Sequence, residues 1–413
     1  MKKFLFCLLI FCLIPIVNAS TTPLVKIGGR FYDTLESAIN AVGENETISL
    51  ISDVKLDNTL KINKVVNIDL NGNDISAYEK VFEVKDGYLT LSGKGTVKEI
   101  NPNYGAVMLI GSDVPTEKYS GVSVGKDVTL EGWSGIFINH YNSKSYGVSV
   151  NFEGTINSFE DASGITGAGI YVNGNIKEKD YNPVVNIMDD AKITSTGNGL
   201  YIAGYSTFNI GDAYIEGDES AIGIKSGKLI IDGATLICNG EDKTPTEGYN
   251  NGIKASGTTI QIESNIGYRG DIEIDISSGK FISKNSNVIY EYIGKGNSSK
   301  IYSMSISGGS FVSGKNKDVF SFSDSFKDIH SGFISGGEYS TNPTNYLKSG
   351  YTVVTDDMYN VVKSTMKELN SNNIKQSNSF ITCLITLLLI LMSSIIIYFN
   401  RVKICKLLNP KRY

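Results

Sequence analysis

The chain has 413 residues, 43 of them acidic and 38 basic, for a formal net charge of −5. This weakly acidic balance, with no basic stripe, argues against nucleic acid as a partner. Between residues 20 and 379 there is one cysteine, Cys238, so no intrachain disulfide can form there, and burial with backbone pairing must hold the fold.

The chain opens MKKFLFCLLIFCLIPIVNAS: Lys2 and Lys3, then an apolar run from Phe4 to Val17, then small residues before Ser20. That is the pattern of a secretory signal peptide, assigned to residues 1–19. Residues 20–65 read as an N-terminal cap and first strands. In YDTLESAINAV, Asp33 stands three residues before Glu36, the capping-box spacing, and Leu35, Ala38, Ile39 and Val42 share one helical face. A short capping helix is expected there, followed by ETISLISDVKL as a first strand pair.

Residues 66–362 carry a repeat: hydrophobic, any, hydrophobic, a short Gly/Asp/Asn turn, then a further hydrophobic. It runs from IDLNGNDI at Ile68 through LTLSGKGTV, VSVGKDVTL, VSVNFEGTI, VNIMDDAKI, FNIGDAYI, LIIDGATL, IDISSGKF and MSISGGSF to GFISGGEY at Gly332. Most of these ten starts lie 21 to 37 residues apart. Each pass reads as strand, tight turn, strand, with Val185 and Ile187 on one face and Asn186 on the other. One such unit cannot bury its apolar face alone, whereas stacked units can. Shorter apolar pieces, GIFI at 135–138, GIYV at 169–172, GLYI at 199–202, AIGI at 221–224 and GIKA at 252–255, read as a further strand column. The spacing predicts a coiled solenoid with two or three strands per turn. Excursions are expected at Tyr141–Ser145 and in NGEDKTPTEGYNNGIKASG. A string of β-sandwiches would instead need longer strands and a domain period near ~100 residues.

The repeats end in SGYTVVTDDMYNVVKS, a closing hairpin turning at Thr355-Asp356-Asp357. Residues 363–379 are polar and Asn/Ser-rich, a stalk. Residues 380–399 contain no charge, the length of a membrane-spanning helix, and 400–413 form a basic tail. Basic residues stay on the cytoplasmic side, so the expected location is a single-pass protein of the cell membrane, with the N-terminal domain extracellular and the C-terminus cytoplasmic.

VKIGGRFYDTLESAINAV, ISLISDVKL and NIDLNGNDI resemble the opening segment of bacterial surface proteins with a right-handed parallel β-helix, many from Gram-positive bacteria. ISGGEYSTNPTNYLKSGYTVV resembles their closing segment. The resemblance implies an all-β, pectate-lyase-like right-handed parallel β-helix solenoid with a short N-terminal capping helix, here joined to one C-terminal transmembrane helix. It implies a surface location and no particular activity, since that fold hosts lyases, hydrolases, adhesins and spacers. The LPxTG sorting motif common in such proteins is missing before the apolar segment, which favours anchoring by the retained helix.

No complete catalytic motif is legible. The carboxylate pairs and Gly-His-Gly of polygalacturonase-like enzymes are missing, and the two histidines, His140 and His330, stand outside any such motif. Asp189, Asp212 and Asp232 fall near the same corner of successive passes, about 5 Å apart if coils stack. Ca²⁺ could relieve their repulsion. The plainer reading, favoured here, is three solvated turn residues. Arg269, in IGYRGD, reads as a surface residue in a charge pair. Cys238 reads as a small buried hydrophobe. Most of the 23 tyrosines should pack in columns; exposed ones able to stack on sugars are sought first in YIAGY and YEYIG. The expected function is a membrane-anchored, adhesin-like or carbohydrate-binding display protein, with glycans or host surface proteins as partners besides the membrane. The alternative is a surface-tethered polysaccharide lyase or glycoside hydrolase.

Overall fold

The computed structural model describes residues 23–138, 144–173, 180–248, 252–264, 268–293, 301–324, 326, 332–364 and 385–395. The expected signal peptide, the basic tail, His140, His330 and the stalk after Ser364 lie outside these residues. Of the apolar segment, 385–395 is helical, and among the described residues no helix is long and apolar enough to cross a membrane.

Each pass of the repeat folds as two strands around a corner. VSVGKDVTL becomes Ser120–Val124 and Val128–Gly132. These two do not pair with each other. Each pairs in parallel with its counterpart one pass earlier and one pass later. The short apolar pieces supply a third strand per turn, so among the described residues three long sheets run along the coils: A with 12 strands, B with 13 and C with 10. In one turn the chain visits Val148–Phe152 in A, Thr155–Ser158 in B and Ala168–Val172 in C. This is a parallel β-helix solenoid, since between strands that pair in parallel in one sheet the chain passes through the other two.

Register converts the repeat letters into interior columns. In sheet A, Val66, Leu89, Val122, Val150, Val185, Phe208, Leu229, Ile274 and Met304 follow one another across the coils. In sheet B, Val97, Leu130, Ile156, Ile193, Ile215, Leu236, Phe281, Phe311 and Tyr339 do the same. Every one of these side chains is buried. Each large aliphatic contributes about 1.5–3 kcal/mol by leaving water. Sheets A and B alternate buried and more exposed positions, but the middle strands of sheet C are buried on both faces, and Ser134–Ile138 and Ala168–Val172 have no exposed residue. Its strands accordingly read as continuous apolar runs. The paired glycines of the last passes have a steric cause. Gly279, Gly309 and Gly337 recur at one corner with φ of 130°, 103° and 99°, and a Cβ on Gly279 would lie 2.6 Å from the Ala234 carbonyl oxygen.

Several expectations need correction. The capping helix is Leu35–Ala41, and its N-cap is Thr34 rather than Asp33; the Thr34 hydroxyl accepts from the Ser37 N–H at 3.1 Å. ETISLISDVKL is not a strand pair: Thr47–Leu50 joins sheet A and Val54–Leu56 joins sheet B. Their backbone groups are taken by the next coil, at Val65–Asp69 and Ile75–Ala77. GIKA does not continue sheet C. Gly252–Ser256 pairs antiparallel with Lys243–Gly248 as an excursion, and Thr258–Ser264 takes the place in the sheet, with Ile260 beside Ile222. Residues 141–143 of the other expected excursion lie outside the described residues; its end returns antiparallel, Tyr146 against Ser112. The closing hairpin, Tyr351–Thr355 with Tyr359–Lys363, turns one residue later than expected, on 356–358.

Candidate functional site

Along the solvent side of sheet A, the outward residue between the last two buried positions of each strand forms its own column. Ser123, Asn151, Asn186 and Asn209 are register neighbours. Their spacing lets the amides hydrogen-bond from coil to coil. Asn209 Nδ2 donates to Asn186 Oδ1 at 2.8 Å, and Asn186 Nδ2 to Asn151 Oδ1 at 2.9 Å. Asn151 Nδ2 donates to the Tyr88 hydroxyl at 3.2 Å, which lies 2.7 Å from Ser123 Oγ. A primary amide has two N–H donors and two lone pairs, and the middle rung, Asn186, uses one of each within the ladder.

Beside the ladder the surface sinks into an open groove of about 630 Å³. Asn151, Asn186 and Asn209 line it together with Glu153, Met188, Asp189, Gly211, Ile230 and Asp232. Gly211 opens the hollow: a Cβ there would sit 2.3 Å from Asp189 Oδ1. The groove offers amide donors and acceptors in a row, an apolar step at Met188 and Ile230, and carboxylates along one edge.

Two of the three corner aspartates, Asp189 and Asp232, therefore border one concavity, but they are not gathered as cation ligands. Asp189 Oδ1 accepts from the Asp212 N–H at 2.9 Å, while Asp232 Oδ1 accepts from the Ser277 and Ser278 hydroxyls, both at 2.7 Å. The Ser278 and Ser277 hydrogen bonds hold the Asp232 carboxyl below the usual range. These side chains stitch one coil to the next, as do Asp53 to the Asp74 N–H and Asp74 to the Thr96 N–H. Among the described residues no group of three His, Cys, Asp or Glu is placed to hold a metal ion.

The tyrosines first sought for sugar stacking are placed otherwise. Tyr201 and Tyr205 of YIAGY are buried, and Tyr290 and Tyr292 of YEYIG are half-buried. Tyr201 belongs to an aromatic pile on the outer side of sheet C, stacked on Tyr171 at 4.4 Å, which stacks on Phe137 at 4.9 Å. Trp133 leans on Tyr171 at 5.2 Å, and its indole N–H donates to the Ile165 carbonyl at 3.0 Å. Lys225 then closes over this layer in an ion pair with Glu263, with side chains 4 % and 1 % exposed. Its ammonium lies 5.1 Å from the Tyr201 ring and 4.9 Å from the Tyr268 ring. Burial lowers the Lys225 pKa, against the pull of Glu263. Arg269 is exposed, and among the described residues it enters no ion pair.

Cys238 is buried, as its surroundings in the sequence suggest. It fills a column position held by Ser158 and Ser195, three and two coils earlier, and by Ser283 in the next. Each of these groups works at the corner into sheet C: Ser158 donates to the Trp133 carbonyl, Ser283 to that of Gly257, and Cys238 to that of Glu219 at 3.3 Å. Burial pushes the thiol up from 9.0 to about 11. The native state thus holds this proton more tightly than the unfolded chain, and stability falls as pH rises from 9 towards 11. Cys238→Ser should change stability by no more than about 1 kcal/mol, because the serine keeps the corner bond. Peptide-mapped alkylation should leave Cys238 unlabelled until denaturant is added. Labelling of the native protein would show the column to be open.

The sequence shows the aspartates because they sit in turns, but it does not mark the ladder. Its trace is the asparagine in VSVN, VVNI and FNI, at the same place in three consecutive passes. Compared with known proteins, the chain matches no family model, no curated protein and no solved structure.

Proposed function

We propose that this chain is a cell-surface display protein that binds glycans in the sheet A groove. In this reading it is exported by its N-terminal signal sequence and held in the membrane by the apolar segment 380–399, with the solenoid outside the cell. The carrying observation is the in-register amide ladder at the wall of a 630 Å³ hollow. Sugar recognition needs paired donors and acceptors set beside apolar surface, and the rigid coils hold both without further ordering. The resemblance to right-handed, pectate-lyase-like β-helices of Gram-positive surfaces supports display as the role, and adhesion follows if the glycan belongs to a host or neighbouring cell.

The full-length protein applied to a glycan array should bind a restricted set of oligosaccharides. Asn186→Leu, which keeps volume but cuts the ladder at its centre, should lower that affinity by about tenfold or more, the loss of one or two hydrogen bonds left unpaired. Binding unaffected by Asn186→Leu, or an array without hits, would refute the assignment of this groove. Release of reducing or unsaturated sugars during incubation would move the reading to a tethered hydrolase or lyase.

A further inference from the structure

The titratable side chains that line the groove are Glu153, Asp189 and Asp232, all carboxylates and all exposed. Asp190 and Asp212, on the adjoining corners, are exposed as well. No lysine, arginine or histidine is among the lining residues. Lys228, two residues before Ile230 on the same strand face, lies 3.9 Å from Glu273. The lining of the hollow is therefore negatively charged, with no cation among its own residues.

Taking the glycan-binding reading as its basis, we infer that the groove selects neutral or amino-bearing oligosaccharides and rejects uronic-acid polymers. A uronate laid along the amide ladder would bring its own carboxylates against Glu153, Asp189 and Asp232, where like charges repel and no lining cation offsets them. A 2-amino sugar instead places an ammonium where these carboxylates accept charge-assisted hydrogen bonds, which are shorter and stronger than neutral ones. Hydroxyls of a neutral sugar meet the amide groups, and its C–H face meets Met188 and Ile230. Register supplies the direction of the chain. Asn151, Asn186 and Asn209 succeed one another by one coil spacing, about 4.8 Å, so an extended oligosaccharide crossing the coils meets one amide per coil.

The test titrates the full-length protein with three probes, a glucosamine oligosaccharide, its N-acetylated neutral form and an oligogalacturonate, at low and at physiological salt. At low salt the amino form should bind about tenfold or more tighter than the oligogalacturonate, a preference that shrinks as salt screens it. The pair Glu153→Gln and Asp232→Asn should erase most of that preference, weakening the amino form relative to the oligogalacturonate, since each amide removes a charge but keeps an acceptor oxygen. Oligogalacturonate binding as tightly as the amino form, or a preference that the paired substitution does not move, overturns the inference and leaves the glycan reading standing. Binding of none of the three overturns the inference too, and the array with Asn186→Leu then decides separately whether the groove binds any sugar.

Discussion

Full-length protein carrying Lys225→Met is expected to lose about 3–5 kcal/mol of stability in the coils around residue 225, because the buried Glu263 carboxylate loses the cation that offsets its charge. The strand Ser220–Ile224 lies against Thr258–Ser264, and Lys225 and Glu263 continue that register by one position. Neither carboxylate nor ammonium can turn to solvent without opening the aromatic layer of Tyr201 and Tyr268. The double replacement Lys225→Met with Glu263→Leu should recover most of the loss, since apolar groups of similar volume often serve as well as a buried pair. Coils contact only their neighbours, so a single two-state transition is not assured for such an array. Hydrogen exchange across Ser220–Ile224 and Thr258–Ser264 is therefore the suitable measurement. Equal protection in the wild type and Lys225→Met would show the pair to be accessible to water.

Phe311→Ala should cost a comparable amount, about 3–5 kcal/mol, in the last coils. Phe311 is fully buried between two further rings, Phe281 at 4.5 Å and Tyr339 at 4.9 Å, each within 5° of parallel. Removing the middle ring deletes both stacking contacts and leaves a hole that the flanking backbone cannot close, because each strand is fixed by pairing on both sides. Phe311→Leu should cost less, as much of the volume remains. The loss should appear as faster exchange in Lys280–Ser283 and Glu338–Tyr339, with the N-terminal coils unchanged. A loss below about 1 kcal/mol would mean that the column collapses freely.

Much of the fold was legible because sheets A and B obey a two-residue alternation that the letters display directly. VNIMDDAKI already names its two interior strands and its corner. Sheet C was legible only in part, since a strand buried on both faces has no alternation, and GIKA opens with the same two letters as GIYV. What separates them is the partner: Ile253 finds Glu247 in a local hairpin, whereas Ile170 finds Ile136 and Leu200 on neighbouring coils. The site was less legible than the fold. Aspartates announce turns, which is also their role here, so Asp189 and Asp232 drew attention for a chemistry the corners do not assemble. Asn186 looked like any solvent-facing residue, and only register makes it one rung of three. The pairing of Lys225 with Glu263, 38 residues apart in sequence, depends on the length of the intervening excursion, which no local pattern sets.

The contact of each coil with its neighbours alone also fixes how the molecule would bear tension. A pull applied at the groove and resisted at the C-terminal end runs through the coils that follow Asn209, while those before Asn151 carry none of it. Under such a load the downstream coils would peel away singly, and the unstrained upstream stack would remain as the template on which they rewind.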